Sequence, residues 1–333
     1  MSEEQIDFLA IGDTVVDAFI KLQEAHLDEH QYLDRTEQEL CMPFATKIPY
    51  ESVTVVPAVG NSANATVAAS RLGLKTSIVT FLGNDINGRE CKFTLENEKI
   101  DTKYVIMEQD KITNYHYVLW FGDERTILIK HENFRTYLPD ISKPKWIYLS
   151  SLATNTEELH FEILKYLQEN PDVKLAFQPG TFQIKMGAET LKDMYKRTEF
   201  FCCNVEEAQI ILNNNTRDVK TLLQEMQNLG PKIVCITDGK KGSFVKYDED
   251  VWYMPIYPDQ KPPLERTGAG DAFTSTFVSC LIMGMKPEEA IVYAPINSMN
   301  VVQFVGAQKG LLKLEDIQNY IKKAPESYIP IKL

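Results

Sequence analysis

The stretch Arg266-Thr267-Gly268-Ala269-Gly270-Asp271-Ala272-Phe273 sets two glycines and a carboxylate ahead of an amphipathic run marked by Phe273, Phe277, Cys280 and Leu281. The N–H groups at a helix start have no partner within the helix and carry partial positive charge. Glycine lets an anion approach such a backbone closely. Asp271, in the first turn, is placed to accept a proton from an attacking hydroxyl. An anion hole and a general base would then share one short segment. A tight turn with Asp271 capping the helix has the same sequence pattern. A second set of residues, Gly60-Asn61-Ser62-Ala63-Asn64 and then Gly83-Asn84-Asp85-Ile86-Asn87-Gly88, is rich in asparagine. Its amide offers both a donor and an acceptor, as polyol hydroxyls require. A capped helix followed by a surface turn fits these residues equally well.

The elements that must position these groups follow from periodicity. Ile6 to Ile11 is a short apolar run ending at Gly12, a buried strand. Residues Lys21 to Glu39 are polar and helix-tolerant, and Val53 to Val59 is extended. Ala65, Ala68, Ala69 and Leu72 give a helix from Asn61 one apolar face, and Gly73 ends it. A strand at Thr76–Leu82 and a helix near Arg89–Glu98 follow. Tyr115–Phe121 and Thr126–Lys130, joined at Gly122-Asp123-Glu124, read as a hairpin outside this alternation. Strands at Trp146–Ser150, Val173–Phe177, Phe200–Cys203 and Ile233–Thr237 then alternate with helices. One late helix runs from Glu288 towards Val305, where Pro295 is expected to kink or interrupt it, and Leu314, Ile317 and Ile321 mark a terminal helix. Strand–helix alternation of this kind implies a mostly parallel sheet.

The chain of 333 residues carries 35 basic and 47 acidic side chains, a formal charge of -12. That balance argues against a nucleic-acid partner, which would want a basic stripe, and against an anionic membrane surface. The acidic start Met1-Ser2-Glu3-Glu4-Gln5 lacks the features of a signal peptide, and no apolar run reaches the roughly 18 residues of a membrane span. The expected location is the cytoplasm. The six cysteines, Cys41, Cys91, Cys202, Cys203, Cys235 and Cys280, form no C-x-x-C pair. They are read as reduced core thiols, not as a zinc site.

Taken together, these residues resemble the ribokinase-like (PfkB) family of carbohydrate and nucleoside kinases. One family signature matches Gly60 through Gly88 and the other Thr267 through Phe273. Gly12-Asp13 with Asp17, Asn204-Val205-Glu206-Glu207, Thr237-Asp238-Gly239-Lys240-Lys241-Gly242 and Gly306-Ala307 follow the family order. The resemblance implies a single α/β domain with the three-layer ribokinase-like fold. A mostly parallel central sheet would be flanked by helices, with a small β-sheet lid drawn from about 18–58 and 104–131. The lid sheet would either pair two subunits into a homodimer or be covered within a monomer.

The resemblance also implies an ATP- and Mg2+-dependent transfer of the terminal phosphate to a hydroxyl. Asp271 would be the general base, and Gly268, Ala269 and Gly270 the anion hole. Asp17, Gly60, Asn61 and Asn64 would bind substrate, and Thr237, Gly239, Gly242 and Asn297 the nucleotide. Asn204 and Glu207 would organise the metal, largely through water. Glu265 stands where the family has Asp, in a neighbourhood that in several relatives binds a monovalent cation such as K+. Gln178-Pro179 replaces a family Asp-Pro step. Arg266 is read as a solvated arginine, and His116, His131 and Trp120 as packed or solvated. The expected acceptor is a small ribose- or fructose-like sugar. The alternatives are a nucleoside, with Tyr115, Tyr117 and Trp120 stacking on its base, and a non-catalytic sugar or nucleotide sensor. A dinucleotide-binding oxidoreductase would need a second glycine after Gly12-Asp13-Thr14-Val15.

Overall fold

The computed structural model describes residues 5–31, 36–122 and 124–333. The acidic start at Met1–Glu4, part of the polar segment 21–39 and the turn residue Asp123 lie outside the described residues.

Short runs of consecutive apolar residues build the central sheet. These are β1 (Phe8–Ile11), then, after β2 (Val15–Leu22), β3 (His26–Gln31), β4 (Thr36–Cys41), β5 (Tyr50–Val59) and α1 (Asn61–Arg71), β6 (Thr76–Gly83). After α2 (Ile86–Asn97) come β7 (Val105–Glu108), β8 (Tyr115–Phe121), β9 (Glu124–Leu128) and β10 (Trp146–Leu149). Next are α3 (Glu157–Glu169), β11 (Lys174–Phe177), α4 (Thr181–Met186), α5 (Lys192–Arg197), β12 (Phe200–Asn204), α6 (Val205–Leu212), α7 (Val219–Asn228) and β13 (Ile233–Thr237). The chain closes with β14 (Ser243–Tyr247), β15 (Asp250–Met254), α8 (Ala269–Ile282), α9 (Pro287–Val301), α10 (Leu314–Lys322) and β16 (Ile331–Lys332).

Ten strands lie in the order β16-β15-β14-β13-β12-β11-β10-β1-β6-β7. From β13 to β7 every pairing is parallel, and β14, β15 and β16 add an antiparallel edge. Strands covered on both faces are apolar without a break, and Phe8-Leu9-Ala10-Ile11 is fully buried. The period of two divides them: Phe8 and Ala10 pack in one core with α1, α2, α8, α9 and α10, while Leu9 and Ile11 pack in the other with α3, α6 and α7. The result is three layers, helix–sheet–helix. Chain order changes direction at β1, whose neighbours are β10 and β6, and ligands of open α/β sheets bind beyond the strand C-termini at such a switch.

A second sheet, β5-β2-β8-β9, and a two-stranded ribbon, β3-β4, stand apart from it. Of the polar segment 21–39 expected to tolerate helix, the described residues end β2 and form this ribbon, and α9 runs through Pro295 to end at Val301, short of Val305. Among the described residues no helix is long and apolar enough to cross a membrane.

Candidate active site

Asp271 lies in the first turn of α8 and is buried. Its carboxylate collects three amides from distant parts of the chain. Asn61 Nδ2 donates to Oδ1 at 2.9 Å, Asn64 Nδ2 to Oδ2 at 2.8 Å and Gln178 Nε2 to Oδ1 at 3.4 Å. Burial raises the pKa of Asp271, and the amides of Asn64, Asn61 and Gln178 oppose that by stabilising the anion. The glutamine is itself fixed, since Tyr148 donates its hydroxyl to Gln178 Oε1. Asn64 Oδ1 accepts from Gln308 Nε2 at 3.0 Å. The two asparagines sit at the start of α1 because Gly60, at φ 108°, turns the chain directly from β5 into that helix.

Two cavities meet beside Asp271. One, of about 220 Å³, runs along Thr237, Gly239, Gly242, Tyr257, Phe273 and Met299. The other, of about 560 Å³, is lined by Asp13, Asp17, His116, His131, Gln178 and Asp271, with Gly60, Asn61 and Asn64 on its wall. Thr237, Arg266, Ala269 and Gly270 line both. The second cavity opens past the C-terminal ends of β1, β11, β12 and β13, through Asp13, Gln178, Asn204 and Thr237.

The glycines around Asp271 have different causes. Gly268 has φ 79°, and a Cβ there would stand 2.4 Å from Cβ of Ala307. Gly270 is helical, and a Cβ there would meet nothing nearer than Gln178 Nε2 at 3.8 Å. The protein therefore requires Gly268 for its own backbone, whereas at Gly270 the missing side chain leaves space at the junction of the cavities. Glu265 is buried and braces this loop, taking Thr267 N–H at 2.7 Å and Gly306 N–H at 3.0 Å.

The second cavity is crowded with unpartnered polar atoms. Asp13 Oδ2, Asp17 Oδ1, His116 Nε2, His131 Nδ1 and Arg125 Nε are buried without a hydrogen-bond partner among the described residues. His116 Nδ1 is 3.5 Å from Asp17 Oδ1, and His131 Nδ1 is 3.7 Å from Asp13 Oδ2. Burial pushes the Asp13 carboxyl up to about 7, against the lowering effect of the Ala153 backbone and of His116, and burial lowers the pKa of His131. These two histidines, expected to be packed or solvated, instead line the cavity. So does Arg266, half-exposed on the wall shared by both cavities. Asp13, Gln178 and Arg125 were also missed as cavity residues. Gln178 carried a signal as the departure from the family's Asp-Pro step.

Asn204 and Glu207 form a capping box at the start of α6. Glu207 N–H donates to Asn204 Oδ1 at 2.7 Å, and Asn204 N–H to Glu207 Oε2 at 2.9 Å. Both line the second cavity. Burial raises the Glu207 pKa, the Asn204 N–H opposes it, and the charges of Asp271 and Glu206 add to it. Two carboxylates that repel one another across one cavity are a donor set suited to a hard divalent cation.

Asn297 lines neither cavity. It is fully buried between α8 and the 311–312 segment, donating to Thr276 Oγ1 at 2.8 Å and accepting from Leu312 N–H at 2.9 Å. Its neighbours Pro295, Ser298 and Met299 face the first cavity. The Gly83–Gly88 stretch is likewise internal. Asp85 takes Gly88 N–H at 2.7 Å and Thr113 N–H at 3.0 Å, and a Cβ on Gly88 would lie 2.0 Å from Gly83 O. Tyr115 and Tyr117 pack on each other with ring centroids 5.3 Å apart, and Trp120 donates Nε1–H to Gly122 O at 3.0 Å. None of these three aromatics lines the second cavity, where Phe182 of α4 is the aromatic wall.

Comparison with known proteins gives one consistent picture. The model of the pfkB family carbohydrate kinases matches residues 28–314. A nucleoside kinase of Methanothermobacter thermautotrophicus is 25% identical over 315 residues, covering 93% of this chain and 94% of its own. The ribokinase of Bacillus subtilis is 26% identical over 272 residues, 79% of this chain and 87% of its own. Among solved structures, Arabidopsis thaliana ribokinase complexed with ribose and ATP superposes with a TM-score of 0.78 at 18% identity, over 96% of this chain and 99% of that one. A likeness at that identity speaks for the fold.

Proposed function

The chain belongs to the pfkB family of carbohydrate kinases, phosphotransferases acting on hydroxyl groups, and from that premise we propose that it transfers the terminal phosphate of ATP to a primary hydroxyl of a small sugar, with Asp271 as general base. The observation that carries this reading is the meeting of two cavities at Gly270 beside a buried, triply hydrogen-bonded carboxylate.

ATP occupies the cavity along Thr237, Gly239 and Gly242, its terminal phosphate towards Ala269 and Gly270. The first N–H groups of α8 and Arg266 face the charge that develops there. The acceptor lies in the second cavity with its reacting hydroxyl at Asp271, which takes the proton as oxygen attacks phosphorus. Mg2+ held by Asn204 and Glu207, largely through water, would neutralise phosphate charge. Asn64, Asn61 and Gln178 favour the ionised form of Asp271 and aim it, against the effect of its burial.

A sugar is favoured by the donors and acceptors left open on Asp13, Asp17, His116, His131 and Arg125. Several hydroxyls, each donor and acceptor, would satisfy them, and leaving them unpaired is costly. A nucleoside finds fewer reasons here, because Tyr115, Tyr117 and Trp120 are packed elsewhere. The sheet β5-β2-β8-β9 acts as a lid, its inner face bringing Asp17, His116 and Arg125 over the acceptor and excluding water that would otherwise compete. Its outer face carries a cross-strand row, Val55–Ala18–Tyr117–Leu128, in which Val55, Tyr117 and Leu128 are about half exposed. That row fits a second copy of the sheet, so the expected assembly is a homodimer through the lid.

A coupled ADP-release screen over pentoses, hexoses, their phosphates and nucleosides tests the reading. Turnover is expected with a sugar, at a kcat/KM at least tenfold above any nucleoside. A preference for nucleosides would contradict the assignment of the second cavity.

A further inference from the structure

Among the described residues the ribbon β3-β4 pairs with neither larger sheet. A lone two-stranded ribbon is marginally stable in water, so what fastens this one is a physical question. Directly opposed residues of an antiparallel pair share a face. His26 opposes Cys41, and Asp28 opposes Glu39. With the alternation of β3, one face carries His26, Asp28, His30, Glu39 and Cys41, all potential metal ligands. The other face pairs Leu27 with Leu40. Cys41 is also the one cysteine of the six that is not buried.

The three side chains are gathered close to the spacing a metal ion needs, so that small rotations of exposed side chains would complete it. A tetrahedral ion with bonds of roughly 2.0–2.3 Å to N, O and S holds its ligands about 3.3–3.7 Å apart. Asp28 Oδ1 is 3.6 Å from His26 Nε2, and Asp28 Oδ2 is 3.5 Å from Cys41 Sγ. Ligand atoms of His26, Asp28 and Cys41 all lie within 4.8 Å of one another. Imidazole, carboxylate and thiolate together suit zinc. We propose that His26, Asp28 and Cys41 bind one Zn2+, with Glu39 or water as the fourth ligand, and that the ion staples the ribbon. On binding, the Cys41 S–H bond breaks, its proton goes to solvent, and the sulfur that donated to Asp28 bonds the metal instead. Sequence spacing gave no zinc site because the ligands are split, His26-x-Asp28 and Cys41, and only the hairpin register brings them together.

The test is titration of the tag-free, chelator-treated full chain with Co2+, read by absorbance. One near-ultraviolet thiolate-to-cobalt band with tetrahedral-intensity visible bands is expected at one ion per chain, and one equivalent of Zn2+ should displace it. Cys41→Ser should abolish the charge-transfer band, and His26→Ala should weaken the binding at least tenfold. Both positions are on the exposed ribbon, so the thermal midpoint of the core reports folding independently. Absence of the band in the unmutated protein overturns the proposal. So does its persistence in Cys41→Ser, which would assign it to another thiol, such as Cys202 or Cys203 in the second cavity.

Discussion

Asn64 on α1 donates its side-chain amide to Oδ2 of Asp271 on α8 at 2.8 Å, joining residues 207 positions apart. If Asp271 is the base, as proposed, the contact gives the asparagine a role through it. Its amide hydrogen stabilises the charged carboxylate, so its loss must raise the Asp271 pKa. The base form then appears only at higher pH. Asn64→Ala is expected to lower kcat roughly ten- to hundredfold and to move the acid limb of the kcat/KM profile up by about one pH unit. A residue that touched only the sugar would raise KM and leave that limb in place.

The two glycines flanking Ala269 separate stability from activity. Gly268→Ala forces a Cβ to 2.4 Å from that of Ala307 in a left-handed backbone. It should destabilise the protein by about 1–3 kcal/mol in chemical denaturation. Gly270→Ala has room in the protein itself. Its stability should stay within about 1 kcal/mol of the parent, while turnover falls at least a hundredfold because the methyl occupies the phosphate's approach.

Asp13 links binding to stability. Its folded-state pKa of about 7 lies above the ordinary carboxylate value of 3.8, so between these values the folded chain holds more protons than the unfolded one. The contribution of Asp13 to stability therefore falls as pH rises from about 4 through about 7. Asp13→Asn removes that loss. The variant's thermal midpoint should exceed the parent's at pH 8, the gap should narrow as pH falls through about 7 and close only below about pH 4, and the sugar KM should rise at least tenfold. Equal midpoints at pH 8 would mean that the buried charge costs nothing there.

What was legible in the sequence depended on how local the signal was. The loop Gly268-Ala269-Gly270 and Asp271 were legible because glycines, carboxylate and helix start are contiguous. The central strands were legible because a sheet covered on both faces needs unbroken apolar runs such as Phe8–Ile11. His116 and His131 were not, because they reach the cavity through the register of β8 against β2 and the chain beyond β9, and neither shows in spacing. The ribbon β3-β4 looked helix-tolerant because its alternation is of polar groups, with only Leu27 and Leu40 apolar on the opposite face. Asn297 looked like a nucleotide ligand by family position, yet an asparagine buried on α9 against α8 and the 311–312 segment serves packing equally well.

The central claim is that Asp271 removes the acceptor's proton, and Asp271→Asn tests it most directly. Asparagine keeps the shape of the side chain but cannot act as a base. With ATP and the best sugar from the screen, the rate of ADP release should fall by about 10²–10⁴, with ATP affinity held within threefold. An Asp271→Asn enzyme that retained turnover within tenfold of the parent would contradict the mechanism.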